Sequence, residues 1–239
     1  MRTDRGSQCL CVVTAIVLCG VIARPESAAA QDEVSWQIWT DYNPRLIWPS
    51  TVELYGDVGV RSELNNNEWG RFVVRPGIRG PVGRFRLSGG LGTFYTANRD
   101  APNTLEFRPF QGINWTWPNG RVPLDHYVRL EERFEFETDD WALDASLRAR
   151  YRLQTEYRFG GLQAGASWRL IGHIEGFLTV AGNAGQFDEK LRIGVGVERG
   201  FVIGIRARLD VTWQKVGALI GGATDEIYIR FRVFQRWLK

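Results

Sequence analysis

The sequence predicts an all-β fold, an antiparallel up-and-down transmembrane β-barrel of 10–12 strands. Three observations carry this expectation. Hydrophobicity alternates with period two along nearly every long segment, as in strands and unlike the 3.6-residue helical repeat. Most segments reach the roughly 9–11 residues that a tilted strand needs to cross a bilayer, against about five or six for an ordinary strand. Tryptophans and a tyrosine fall near segment ends (Trp36, Trp39, Trp48, Trp69, Tyr95, Trp115, Trp117, Trp141, Trp213, Trp237), where interfacial girdles sit.

The first element is a leader. Arg2 and Arg5 form a basic start, Cys9 to Ala23 is almost wholly apolar, and Pro25 breaks the run. Ala28-Ala29-Ala30 then offers the small side chains that a signal peptidase accepts. The apolar run is shorter than the roughly 20 residues of a membrane-spanning helix. Residues 1–30 therefore read as a cleaved signal peptide and 31–239 as one barrel domain. Leu18 is too large to precede a lipoprotein cysteine at Cys19. All three cysteines (Cys9, Cys11, Cys19) lie in the leader, so disulfides, zinc–thiolate sites and cysteine catalysis are not expected after cleavage.

Candidate strands follow at 34–41, 50–62, 69–79, 84–95, 104–117, 123–137, 143–159, 163–180, 190–199, 201–215 and 225–236. In the second, Val52, Leu54, Val58 and Val60 oppose Glu53, Asp57 and Arg61. In the third, Phe72, Val74, Pro76 and Ile78 oppose Arg71, Arg75 and Arg79. In the fourth, Gly89-Gly90-Leu91-Gly92 suits barrel curvature. In the seventh, Leu147, Ala149, Tyr151 and Leu153 oppose Arg148, Arg150, Arg152 and Gln154. In the ninth to eleventh, Ile193, Val195, Leu209, Val211, Ile229 and Phe231 oppose Arg192, Glu198, Arg208, Asp210, Arg230 and Arg232. Eleven is odd, whereas bacterial single-chain barrels have even counts. The segment at 34–41 is thus read as extra, or one long segment as split, giving ten or twelve.

Connections are expected to alternate in length. Tight ones are placed at Gly80–Gly83, Asn119-Gly120, Gly160-Gly161 and Arg199-Gly200. Longer polar ones are placed at 63–68, 97–103, 138–142, 182–189 and 216–224. Short periplasmic turns and longer outer loops have this pattern. Together with the leader, it favours an inverted barrel with apolar faces outward over an exported soluble barrel.

The segments resemble an outer-membrane β-barrel family defined as a bacterial domain of unknown function. The matching pieces are Arg75-Pro76-Gly77, Glu106-Phe107-Arg108, the strand from His126 to Phe134 containing Arg129-Leu130-Glu131-Glu132-Arg133, Arg148-Ala149-Arg150-Tyr151-Arg152, Glu175, and Phe187 to Arg192. Family members usually carry Gln at the position of Glu132, and the stretch after Phe187-Asp188 also departs from their pattern. The resemblance implies an outer-membrane location; in that location a Gram-negative cell, the barrel-assembly machinery, outer-membrane lipids and lipopolysaccharide are the expected surroundings. It implies no activity.

Function is read from the polar faces. Net charge is only +3, and of 30 cationic residues only Lys190, Lys215 and Lys239 are lysines. Such a sum excludes a strongly basic nucleic-acid binder, and no reader motif for nucleic acid is present. The pattern nevertheless sorts charge: 19 arginines and nine acids fall on lumen faces. The expected lattice is Arg75, Glu106, Arg108, Arg129, Glu131, Arg133, Arg148, Arg150, Arg152, Glu175, Arg192, Arg206 and Arg208. Bidentate Arg–carboxylate pairing suits that role. The bland expectation is a lumen filled by ion pairs. The sharper one is a porin-like surplus of positive charge that binds or passes small anions.

Acidic loop residues, including Glu63, Glu68, Asp139, Asp140, Asp188, Glu189, Asp225 and Glu226, are expected to be solvated, since no calcium-loop spacing is present. No metal or cofactor is expected. A lipid-modifying enzyme is disfavoured because His126 shares its face with no serine on the adjacent strands, and Ser146 falls on the opposite face. His173 and Glu175 share the lumen face, but Ser167 lies too far along the same strand.

Overall fold

The structure, a computed structural model, describes residues 34–65, 67–117, 122–159, 167–182, 190–201, 204–217 and 224–238. The expected signal peptide and the hairpin dipeptides Asn119-Gly120 and Gly160-Gly161 lie outside the described residues.

Eleven strands form one closed barrel. They are β1 (Ser35–Ile47), β2 (Glu53–Glu63), β3 (Trp69–Val82), β4 (Phe85–Asn98), β5 (Thr104–Thr116), β6 (Leu124–Glu137), β7 (Leu143–Phe159), β8 (Trp168–Gly182), β9 (Lys190–Gly200), β10 (Ile205–Val216) and β11 (Thr224–Leu238). Each pairs with its sequence neighbours in antiparallel fashion, and β1 closes on β11 in parallel. The expectation of an even count is overturned here. Parity holds only if every seam is antiparallel. A parallel ladder accepts two strands running the same way, its hydrogen bonds slanted and evenly spaced. This one runs unbroken from Ser35 opposite Glu226 to Ile47 opposite Leu238. The segment read as an extra is therefore a full wall strand.

The registers fix the barrel's dimensions. A walk perpendicular to the strands from Arg61 reaches β6 at Glu137 in one direction and at position 123 in the other, a stagger of 14 residues. For 11 strands at ordinary spacing and rise, this gives a tilt of about 40° and a backbone radius of about 11 Å. Local devices bend the wall. The ladders skip around Pro44, Pro76 and Pro109, which have no amide to donate. A bulge interrupts β7–β8 at Leu147/Arg148.

The two faces differ in kind. Outward positions carry the large apolar side chains, such as Val60, Ile78, Ile174, Ile193, Val195, Leu209 and Phe231, all exposed. Inward positions carry ionic groups that are closed off from solvent, among them Glu106, Arg108, Arg129, Glu131, Arg148, Glu175, Glu198 and Asp210. Trp39 corrects the girdle expectation: it points inward and is buried.

One end of the barrel, here the turn end, carries the connections 48–52, 83–84, 117–123, 160–167 and 201–204; the other, the loop end, carries 64–68, 99–103, 138–142, 183–189 and 217–223. Among the connections whose residues are all described, the turn end has 48–52 and 83–84 and the loop end has 99–103 and 138–142, so the expected contrast in length holds at Gly83 and fails at 48–52. β3 runs through Gly80 to Val82, which moves that turn from Gly80–Gly83 to 83–84. Gly83 takes the left-handed conformation this tight turn needs (φ 58°).

Candidate functional site

The lumen is built by period two. Because alternate residues face inward, an Arg–X–Arg or Arg–X–Glu stretch lines up charges on one wall, and the ladders set their partners across the seam. Asp57 stands opposite Arg75, Glu53 opposite Arg79, Glu131 opposite Arg148, Glu175 opposite both Arg152 and Arg192, and Glu198 opposite Arg169 and Arg208.

Three glutamates act as hubs. Glu131 pairs with Arg129 and Arg148, with Arg108 at 3.8 Å. Glu175 pairs with Arg150, with Arg192 at 3.5 Å and Arg152 at 3.8 Å. Glu198 pairs with Arg206 at 3.0 Å, Arg208 at 3.1 Å and Arg169 at 3.6 Å. Each carboxylate has two oxygens to offer and is shared among three guanidiniums. Every hub therefore leaves positive charge over. Shorter links join the rest: Arg75 donates from Nε to Asp57 at 2.8 Å, Arg133 to Glu106 at 2.7 Å, and Arg232 to Asp210 from Nη2 at 2.7 Å.

Aromatic rings stiffen the lattice. Trp39 stacks on Tyr228 of β11 with centroids 3.9 Å apart and planes 5° apart. Arg61 of β2 lies 4.1 Å over the same indole. Two groups this close must occupy opposite faces, so the ring is sandwiched between its neighbouring strands. Arg108 covers Phe94 at 4.1 Å and Arg129 covers Phe110 at 4.2 Å. Guanidinium planes on rings retain attraction when removed from water.

The loop-end half encloses a cavity of about 600 Å³. Its lining reaches down to Gln154, His173, Asp210 and Arg232, and includes none of the turn-end layer of Arg45, Glu53, Arg79, Glu198 or Phe234. That layer is packed, with Phe234 and Glu198 both buried. This chamber is lined by 12 cationic side chains against seven carboxylates, and three further acids outside its lining, Asp41, Asp57 and Glu106, pair with Arg230, Arg75 and Arg133. Two of the lining carboxylates have neutral partners: Glu226 accepts from Gln37 at 3.0 Å and from Gln214, and Glu63 from Ser35 at 2.8 Å.

The sequence from residue 36 to 221 matches the model of a family described as a protein of unknown function (DUF2490). The chain belongs to this family. No curated protein matches it. In this DUF2490 barrel, all 13 lattice residues expected from the sequence face the lumen, but they divide between two regions. Arg75, Arg108, Glu131, Arg133, Arg148, Arg150, Arg152, Glu175 and Arg192 line the chamber. Arg206 and Arg208 belong to the turn-end packing around Glu198, and Glu106 and Arg129 sit in the wall behind the chamber, both buried.

Sequence reasoning missed Trp39, Asp41, Lys190 and Tyr228, and gave Glu63 and Glu226 to the loops. Setting β1 aside removed Trp39 and Asp41, although Asp41 accepts from Arg230 Nε at 2.6 Å. Glu63 and Glu226 close the ends of strands and line the chamber at its rim. Arg84, one of the 19 arginines expected on lumen faces, is a correction in the other direction. It lies in the β3–β4 turn, exposed, 4.9 Å from the Phe85 ring. His126 faces outward, stacked on Trp115 at 4.9 Å, with Nδ1 2.8 Å from the Tyr151 hydroxyl. Among the described residues, no group of three or more His, Cys, Asp or Glu side chains is placed to hold a metal.

Proposed function

We propose that this protein is a bacterial outer-membrane β-barrel that takes up small anions in its lumen from the loop end. The observation that carries the reading is the inverted polarity: apolar side chains exposed outward, ions enclosed. A barrel dissolved in water gains by the opposite arrangement. Hydrocarbon, by contrast, accepts the apolar belt and demands a sheet without edges. The export leader read at residues 1–30 supports the same location. In that setting the belt meets outer-membrane lipids, with lipopolysaccharide at the loop end, and the barrel-assembly machinery inserts the chain.

The surplus of cations around the chamber supports the anion specificity, since a cleft of one sign inside low-dielectric walls concentrates counter-ions. The packed turn end favours binding over passage. Lattice filling and anion binding thus divide the lumen, the first at the turn end and the second above it. The reading assigns no catalytic chemistry.

Membrane fractionation with gel mobility before and after boiling tests the location. The expected result is recovery in the outer membrane and faster migration unboiled; recovery as a soluble periplasmic protein overturns it. Thermal unfolding in detergent, in salts of matched ionic strength and varied anion, tests the specificity. Stabilisation that follows the anion is expected, and dependence on the cation alone overturns it.

A further inference from the structure

Like charges stand directly opposite one another at several places in the lumen, and the lattice answers them with a counter-charge. Glu106 faces Glu135, and Arg133 reaches both, at 2.7 and 3.3 Å. Arg208 faces Arg232, and Asp210 lies 3.9 Å from one and 2.7 Å from the other. Arg158 faces Arg169, with Glu156 at 2.7 and 3.6 Å. Arg129 faces Arg150, each with its own carboxylate, Glu131 and Glu175. Directly opposed like charges repel; the inserted counter-charge makes each of these pairs tolerable.

Arg61 and Arg71 break the rule inside the chamber. They are cross-strand partners on β2 and β3, both line the cavity, and neither has a carboxylate within ion-pair distance among the described residues. Arg71 donates from Nε to the Thr96 hydroxyl at 2.7 Å, a neutral partner. Arg61 lies 4.1 Å over the Trp39 ring and 6.0 Å from that of Phe94, and its buried Nε finds no acceptor. Arg45 and Arg236 also face each other without an acid, but Arg236 is exposed at the turn-end mouth, where water screens it. Lys190, a third chamber cation with no ion-pair partner among the described residues, projects from β9. The 14-residue stagger brings it to the height of Arg71 on the opposite wall.

We infer that the missing counter-charge is a ligand: a phosphate group seated between Arg61 and Arg71 and capped by Lys190. This rests on the anion-chamber reading and deepens it. Three cations without an ion-pair partner among the described residues match a multiply charged oxyanion better than a halide, which would reach fewer of them. A guanidinium fork and an ammonium are also the groups that phosphate oxygens select. The group arrives either free or as a phosphomonoester carrying a further moiety. Glu63 and Glu226, at the rim with neutral partners, stand where an ammonium on such a moiety would find a carboxylate.

Calorimetric titration of the full barrel in detergent, with inorganic phosphate in one arm and phosphoethanolamine in the other, tests this. Binding in at least one arm is expected. R61Q, R71Q and K190Q should each weaken it by about tenfold or more, as loss of a charge-assisted contact does. R61E supplies the absent carboxylate from the wall itself and should abolish binding while leaving heat-modifiable mobility intact. R86Q, which removes a partner of Glu53 outside the chamber, should bind as the parent does. Tighter binding of phosphoethanolamine, reversed by E226Q, assigns the source to a headgroup; equal binding assigns it to free phosphate. Failure of both ligands to bind the folded parent, or unchanged binding by R61Q and R71Q, overturns the inference. The anion-chamber reading survives that failure if other anions still raise the unfolding temperature.

Discussion

Arg61 lies 4.1 Å over the Trp39 indole, on the face opposite the stacked ring of Tyr228. Three strands, β2, β1 and β11, are thereby joined through one side chain, across the parallel seam. Arg192 and Arg230 also approach the same ring, at 5.5 and 5.6 Å. Trp39→Leu removes the ring from all of these contacts at once. We expect a loss of about 2–4 kcal/mol, from lost burial, stacking and cation–π attraction together. Urea unfolding in lipid vesicles measures it.

The glutamate hubs predict unequal costs for chemically identical changes. Glu175→Gln leaves Arg150, Arg152 and Arg192 without their shared carboxylate in a buried setting. Breaking such a cluster costs about 3–5 kcal/mol. Glu135→Gln acts on a side chain that is one-third exposed at the rim and touches Arg133 at 3.3 Å. Its effect should stay within about 1 kcal/mol. Equal losses in the same unfolding assay would remove the distinction between hub and rim.

Two glycines separate crowding from open wall. At Gly196 an added Cβ would lie 2.2 Å from Asp210 Oδ1 and 3.1 Å from the Leu209 carbonyl, so Gly196→Ala must displace the acid that holds Arg232. A loss of about 1–3 kcal/mol is expected from the overpacking. At Gly176 no atom lies within 4 Å of the added carbon. Gly176→Ala should be neutral or stabilising by up to about 1 kcal/mol, through the entropy of the unfolded chain.

The outward belt gives a prediction specific to a bilayer. Val195 faces outward midway along β9, half exposed, beside Val211 on β10. Val195→Arg should cost about 2–4 kcal/mol in lipid vesicles, as a cation does at the bilayer midplane. In water the same arginine would extend into solvent at little cost. Unchanged stability in vesicles would count against lipid contact.

Topology can be labelled directly, since residues 34–239 contain no cysteine. Asp139 sits exposed in the loop-end connection 138–142 and Arg84 exposed in the turn-end connection 83–84. On intact cells an impermeant maleimide should label D139C and spare R84C until the outer membrane is opened. The reverse pattern would invert the proposed orientation.

The wall was legible in the sequence because strand alternation is local. Once Val58 and Val60 face one way, Asp57 and Arg61 face the other, and no tertiary knowledge is needed. The lattice residues were legible for the same reason. The seam was not, because nothing within β1 announces that its partner lies at the far end of the chain, in parallel. Trp39 shows the cost: by composition it is an interfacial aromatic, yet its parity on β1 points it inward against Tyr228. The chamber was equally hidden. Whether a lumen is filled depends on which arginines share a carboxylate, and that is set by register across several ladders.

The parallel seam has a kinetic consequence. Every other ladder joins neighbours in the chain, so ten of the eleven seams can form as local hairpins. The last cannot: Asp41 and Arg230, which meet across it, are 189 positions apart. Closing so long a loop costs about 2–3 kcal/mol more in chain entropy than closing a ten-residue one. Until it closes, β1 and β11 are open edges, the state in which sheets pair with the wrong partner. The Asp41–Arg230 and Gln37–Glu226 contacts are then the clasp of a ribbon that is otherwise already woven. Weakening that clasp should slow the final step of assembly more than it loosens the finished barrel.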